Sequence, residues 1–453
     1  MLSSGTHIGS DMFIQFVTLI SLFIAGLYVH FRRRFRFWKN LGVMFIEPTF
    51  PTGNVSDFLK TYVIQKLYVK LRRLGDDAYG GIFFFGNPVF LVLTPEMAKT
   101  VLIRDFQYFH DRGIYFNAEV DKLSANVFFL RGKKWKALRE KLTPTFSSGK
   151  LKQMFFTVLE VGQRLQKHLA PFAEREADVE MRDILGRFMT DVIASCAFGL
   201  ETNCLNNPKS RFREMGKKMI NFPKSKALKL ILASTFQKQA RAMGVRWNDE
   251  DVTEFFMNVV RETIHYRKQS GLRRNDFMQL LIDMMRNDDN SDVSMDDPET
   301  TESEQNNGLL TFEEIAAQAF VFFFAGDIHR WVSKDYRLPN GSILPKETAV
   351  IIPSLAFSRD PTLFPDPMKF DPSRFTPEAK AQRHPFSTLP FGEGNRICIG
   401  MRFGMIQMKL GLALLLEKYN FDVCEKTDNP IKIDTVNLFH GPAGDIYLNI
   451  KSI

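Results

Sequence analysis

Phe391-Gly-Glu-Gly394-Asn-Arg396-Ile-Cys398-Ile-Gly400 leads directly into an apolar stretch that predicts a long helix from Ile399 to Tyr419. Gly394 lets the loop turn tightly, and Gly400 allows backbone to approach something flat. Cys398 then sits at a helix N-terminus, where the helix dipole favours a thiolate. Backbone N–H groups there can donate to the sulfur and tune a metal bound to it. Arg396, two residues earlier, is placed to meet an anion beside that metal. The competing reading is a buried structural cysteine in a glycine turn.

The chain around this loop has 453 residues, enough for a large core and one to three domains. Hydrophobic residues make up 45% and charged residues 25%, which excludes a mostly disordered or collagen-like chain. Phenylalanine dominates the aromatics, with 44 copies against 10 Tyr and 4 Trp, so the core is bulky and suits an apolar ligand or cofactor. A Phe-rich core without a ligand fits composition equally well. The formal charge of +9 calls for an acidic partner. No zinc-finger spacing and no aromatic stripe set among basic residues occurs, so nucleic acid is not expected; a membrane surface or an acidic protein remains. The four cysteines, Cys196, Cys204, Cys398 and Cys424, contain no C-x-x-C pair. A metal site built from four cysteines and a disulfide-built secreted fold are therefore not expected, and the chain is read as facing a reducing compartment.

Met12–Val29 is an uncharged, mostly apolar run of 18 residues, just long enough to span a bilayer. Arg32, Arg33, Arg34, Arg36 and Lys39 follow it, while only Asp11 precedes it, so the positive-inside rule places the rest of the chain in the cytosol. A cleaved signal peptide would carry its charge before the run and a small-residue cleavage site after it, and neither is present. The expected organisation is a lumenal 1–11, a signal anchor at 12–29, a basic and proline-rich hinge at 30–53 and one domain over 54–453. Phe35, Phe37 and Trp38 are expected at the membrane interface.

Within 54–453, Ile82–Phe85 and Val89–Leu93 read as short strands joined by a turn at Gly86-Asn87-Pro88. Thr94-Pro95-Glu96 supplies an N-cap, a first-turn proline and a first-turn acid. From Gly132 to Arg286 the pattern is mostly helical, with breaks near Gly199–Pro208 and at Pro223. The basic cluster from Lys209 to Lys229 is read as a solvated face in preference to a lipid contact. Residues 288–308 carry eight acidic side chains and no basic ones, so they are expected to form a disordered surface loop. Thr311 and Glu314 form a capping box ahead of a buried helix, Ile315–Gly326. Tyr336–Leu338 and Ser342–Leu344 read as a hairpin around Asn340-Gly341. Pro361–Phe375 is proline-rich and irregular.

The loop that opens this section resembles the haem-binding loop of the cytochrome P-450 family, in which one Cys thiolate is the axial iron ligand. Phe-x-x-Gly-x-Arg-x-Cys-x-Gly fixes five residue types over ten positions: Phe391, Gly394, Arg396, Cys398 and Gly400. Trp135-x-x-x-Arg139 lies one helical turn apart; in the resembled family such a pair meets a haem propionate, as Arg396 also would. Phe364-Pro-Asp-Pro-x-x-Phe370-x-Pro372-x-Arg374-Phe375 looks like the family's proline-rich meander. Ala325-Gly326 resembles the start of the oxygen-binding notch. Lys334-Asp335-Tyr336, Trp38-Lys39 and Pro48-Thr-Phe-Pro51 look most like insect microsomal members that oxidise plant toxins and insecticides. The implied fold is mainly α with a small β part (α+β), with that β part near the N-terminus, preceded by one transmembrane helix.

The resemblance breaks after Asp327. The family's acid–Thr pair would fall at Ile328 and His329, and neither residue fits. His329-Arg330 looks like a later segment, in which the Arg meets a propionate. The family's Glu-x-x-Arg helix, which pairs with the Arg matching Arg374, is absent, and Glu393–Arg396 is read as a coincidental match. A block of several tens of residues is therefore missing near 327–328. Its neighbours would keep apolar surface unburied, where each lost core side chain costs about 2–5 kcal/mol against a total stability of about 5–15 kcal/mol.

The resemblance implies a haem-dependent monooxygenase, with haem b (iron protoporphyrin IX), O2, a small apolar substrate and electrons from an NADPH-dependent reductase, anchored in the endoplasmic reticulum membrane. Cys398 would be the metal ligand, Trp135, Arg139, Arg330, Phe391, Gly394, Arg396 and Gly400 would surround the cofactor, and Ala325 and Gly326 would line the oxygen site. The alternatives are a truncated, catalytically impaired haem-binding membrane protein, and a chain that never folds stably.

Overall fold

The computed structural model describes residues 5–58, 62–220, 223–285, 310–320, 328–434 and 441–453. The acidic stretch 288–308 and the pair Ala325-Gly326 lie outside them. Nine strands are described: β1 (Tyr79–Phe84), β2 (Asn87–Val92), β3 (Asp178–Glu180), β4 (Ile328–Trp331), β5 (Tyr336–Arg337), β6 (Ile343–Leu344), β7 (Ala349–Ile352), β8 (Tyr419–Val423) and β9 (Tyr447–Ser452). The chain divides into two compact units, Met1–Phe109 with Ile328–Leu389, and His110–Asp327 with Pro390–Ile453.

The first unit begins with the helix Gly5–Arg34, which ends on Arg32, Arg33 and Arg34. The stretch Met12–Asn40 is long and apolar enough to cross a membrane by length and composition, and Phe13, Phe16, Leu19, Leu22 and Phe23 are exposed along it. Beyond this helix the chain meets a sheet of order β1-β2-β7-β4, parallel between β2 and β7 and antiparallel elsewhere. The β part is thus built from two distant stretches, and residues 328–331 form its edge strand β4. The hairpin itself pairs Tyr336 with Leu344 and Arg337 with Ile343, and Asn340 Oδ1 accepts from Ser342 N at 3.1 Å inside its loop.

Between β1 and β2 the turn falls one residue earlier than its Gly-Asn-Pro signal, because Phe84 pairs with Asn87 and Phe85 adopts a φ of 52°. Pro88 lies outside the β2–β7 pairing, which begins at Val89, so its missing N–H breaks no bond with that neighbour. Thr94 caps as its sequence predicts, its hydroxyl accepting from Met97 N at 3.2 Å.

Trp38 departs from expectation. It is wholly buried in the core of this unit, with Nε1 donating to Ile82 O at 3.0 Å, so its indole cannot sit at a membrane interface. A Cβ on Gly81 would stand 2.3 Å from Trp38 Cγ, so only glycine lets the indole lie on β1. The segment read as a hinge runs along the same strand, with Ile46 N donating to Gly81 O at 3.1 Å and Gly81 N to Met44 O at 2.8 Å.

The second unit is mainly helical, built on Gly132–Leu142, Ser148–Ala173, Met181–Ile193, Glu250–Ser270, Phe312–Phe320 and Met401–Lys418, with a sheet of order β3-β9-β8. The capping box forms reciprocally: Thr311 N donates to Glu314 Oε2 at 3.0 Å and Glu314 N to Thr311 Oγ1 at 3.2 Å. Residues Ile315–Phe320 behind it are buried on every side. The basic cluster is largely paired: Asp183 takes Arg213 and Lys217, Asp251 takes Lys218 and Asp249 takes Lys226. Arg267 and Asp276 form a buried pair, 2.9 and 2.5 Å across two parallel hydrogen bonds, and Asp276 also caps Gln279 N at 2.8 Å.

One face of the helix Met401–Lys418 is not covered by the described residues. Met408, Leu412 and Leu416, spaced four apart and so on one side, are 55%, 56% and 53% exposed, while Leu415 is 4% exposed. Two contrasting outcomes follow for denaturant unfolding. Leu412→Glu combined with Leu416→Lys is expected to shift stability by no more than about 0.5 kcal/mol and to reduce binding of an apolar dye. Leu415→Ala, one residue away on the packed side, is expected to cost about 2–5 kcal/mol.

Candidate functional site

The loop before Met401–Lys418 folds as its glycines require. Gly394 has a φ of 77°, a left-handed conformation that an L side chain resists. Cys398 N donates to Phe391 O at 2.9 Å, which closes the loop across Gly392–Ile397. Phe391 packs its ring near Gly404 in the first turn of the helix. Gly400 is the N-cap with a φ of −88°, so its backbone needs no glycine; its N–H serves the Cys398 thiol.

Cys398 is open to solvent although protein surrounds it on most sides, so its thiol stands in a recess. Burial pushes that thiol up, while the Gly400 N–H and the guanidinium groups of Arg112 and Arg139 pull it down. Arg139 comes from the helix Gly132–Leu142, one turn beyond Trp135. Burial holds Arg139 below the ordinary guanidinium value, and the Cys398 charge counters that.

Arg396 lies at the centre. Its Nε donates to His110 O at 2.8 Å, and its Nη2 reaches Leu130 O at 3.0 Å and Asp111 Oδ1 at 3.2 Å. Its guanidinium carbon is 3.8 Å from the centre of the Trp135 ring. Burial, and then repulsion from Arg112, hold Arg396 far below its ordinary value, with Asp111 pulling the other way; a guanidinium nonetheless stays charged at neutral pH. Glu393 is not among its partners in the described bonds.

Two residues of the site were not singled out from sequence. Arg112 lies with its guanidinium carbon 4.3 Å from the Phe128 ring centre, and its Nη2 donates to Arg396 O at 3.3 Å. Asp111 accepts from Gly132 N at 2.8 Å and from Arg396. His110-Asp111-Arg112 is a polar triplet inside an aromatic stretch, Phe106 to Phe116, and that contrast was the available signal.

Two guanidinium groups, Arg112 and Arg139, therefore act on an open thiol, and a third, Arg396, lies close enough to be repelled by both while pairing with Asp111. Arg112 Nε is buried without a hydrogen-bond partner among the described residues. Such a cluster fits a bulky group that carries more than one negative charge and meets the sulfur, as an iron porphyrin with two propionates does. Among the described residues no group of three or more His, Cys, Asp or Glu side chains gathers to hold a bare metal ion. Haem brings its own ring nitrogens and asks the chain for a single axial ligand.

Trp135, Arg139, Phe391, Gly394, Arg396, Cys398 and Gly400 all belong to the second compact unit. Arg330 belongs to the first, buried in β4 with Nη1 donating to His329 O at 2.8 Å. Arg374, also in the first, donates to Asp366 O at 2.9 Å and to Pro365 O, and its Nε is buried without a hydrogen-bond partner among the described residues.

A sequence model of the family described as Cytochrome P450 matches the chain in two segments, residues 52–328 and 327–448. The chain is similar to Cytochrome P450 6A1 of Musca domestica, 37% identical over 504 aligned positions that cover 95% of this chain and 96% of that protein. It is also similar to Cytochrome P450 6a2 of Drosophila melanogaster, 34% identical over 508 positions covering 98% and 100%. These alignments are longer than the 453-residue chain, so the relatives carry residues that it lacks. The two segments of the family match meet at Asp327–Ile328, where the resemblance breaks in the sequence.

Arg396→Lys is expected to cost the haem-free chain about 2–4 kcal/mol in denaturant unfolding, because one ammonium cannot serve the carbonyls and the carboxylate that the fork reaches.

Proposed function

This chain belongs to the cytochrome P450 family, and on that footing we propose that it is a haem-thiolate monooxygenase of small apolar substrates, held on the endoplasmic reticulum membrane by Met12–Val29 and supplied with electrons by an NADPH-dependent reductase. The observation that carries the reading is the open Cys398 thiol set beside Arg112 and Arg139, which in turn lie near Arg396. Haem b, when bound, supplies the redox chemistry that activates dioxygen. Cys398 would ligate its iron, and the Gly400 N–H would temper the charge on the sulfur. Arg112, Arg139 and Arg396 would hold the propionates, with Trp135 supporting Arg396 from one face. Arg330, Ala325 and Gly326 are assigned by resemblance alone, to a propionate and to the oxygen side. The Phe-rich composition supports an apolar substrate.

A second reading is a haem-binding protein without turnover. It is favoured by the residues after Asp327: continued in sequence, the family's acid–Thr pair would fall at Ile328 and His329, which are neither an acid nor a threonine and which form part of β4.

The reduced chain under carbon monoxide is expected to give the strongly red-shifted band of thiolate-ligated ferrous haem, and Cys398→Ala to lose it. A band at the position of a neutral axial ligand, or one retained in Cys398→Ala, would overturn the assignment. Turnover of apolar substrates with a supplied reductase then separates the two readings: oxidation removes the second, and its absence in a chain with the thiolate band removes the first.

A further inference from the structure

The helix Gly132–Leu142 has no cap of its own. Arg131 at its N-cap makes no capping bond, and Gly132 starts the helix at a φ of 51°. The acceptor that serves it comes from 21 residues earlier, since Gly132 N donates to Asp111 Oδ1 at 2.8 Å. The same oxygen takes Arg396 Nη2 at 3.2 Å, and His110 Nδ1 lies 2.9 Å away. A carboxylate at this point is favoured twice, by the helix dipole and by the guanidinium. Burial raises its pKa, but His110, Gly132 N–H and Arg396 outweigh burial and hold it below the ordinary carboxylate range.

We propose that Asp111 is the positioning residue of this site: one carboxylate oxygen sets Arg396 against Trp135 and ties the Cys398 loop to the start of the helix that carries Trp135 and Arg139. Both connections pass through Oδ1, so the loop and the helix move together. Asp111 is also the carboxylate paired with Arg396, which Arg112 and Arg139 repel, so it offsets part of the positive charge that the cluster offers to an anionic group. This second consequence rests on the haem reading; the first does not.

The test compares Asp111→Asn, Asp111→Glu and Asp111→Ala. In the haem-free chain the fluorescence of Trp135 is isolated by subtracting the Trp135→Phe spectrum made in each background. Glu is expected to keep the wild-type emission. Asn can still accept from Gly132 N–H but lacks the charge that holds Arg396, so its Trp135 emission is expected to shift toward that of a solvated indole, as in Ala. Wild-type emission in Asn overturns the proposal and leaves Asp111 a helix cap only. Should Ala fail to fold, the Asn and Glu pair decides. In the haem-loaded chain Asn is expected to shift the reduction potential positively, while Glu does not. An equal potential in Asn and wild type overturns the charge role. A wild-type chain that takes up no haem removes the haem reading, and the fluorescence comparison still decides for or against Asp111.

Discussion

A guanidinium with 1% of its side chain exposed must find its partners inside the protein, and the site is arranged around that requirement at Arg396. Carbonyls of His110 and Leu130 supply acceptors from two separate loops, and Asp111 supplies the charge. Trp135 gives the cation an aromatic face. Because Arg396 is two residues from Cys398, fixing the guanidinium also fixes the thiol. Burial first, and then the repulsion that comes with gathering Arg112 and Arg139 nearby, lower the pKa of Arg396. An anionic group entering the recess would relieve that repulsion.

The parts of the fold governed by neighbours in sequence were legible. The Thr94 cap, the Thr311–Glu314 box, the Asn340-Gly341 hairpin and the helix after Cys398 each depend on residues within a few positions of one another. The strands β3, β4, β8 and β9 were not, since their partners lie far along the chain and their runs are short: Asp178 pairs with Asn449, and Ile328 with Ile352. Trp38 was misplaced for a related reason. Its basic neighbours suggested a lipid surface, and only the glycine at position 81 of a distant strand reveals the slot it fills. In the site, the loop that ends at Cys398 and the Trp135–Arg139 pair could be read directly. Asp111 and Arg112 could not, because their roles arise from contacts across 21 residues to Gly132 and across nearly 300 to Arg396.

The family match divides at Asp327–Ile328, and so do the two compact units. Residues Ile328–Trp331 are still used productively, as an edge strand paired with β7. The cap and buried start of the helix Phe312–Phe320 are also intact. Each unit thus keeps its local order in the described residues nearest the break. Beyond local order, Arg374 has a buried Nε without a hydrogen-bond partner among the described residues, with Asp371 Oδ2 3.9 Å away, and Ile328 and His329 contribute backbone pairing to β7.

The uncovered row of Met408, Leu412 and Leu416 bears on how much of this chain a cell would hold. Exposed apolar side chains in register are what chaperones and proteases sample when they sort folded from unfolded chains, and a stability margin of a few kcal/mol sets the fraction they can capture. The row stands on the helix that begins next to Cys398, so an encounter there competes with the folded recess itself. Steady-state abundance, set by the contest between cofactor capture and clearance, would then govern this protein's contribution as much as any rate constant at its iron.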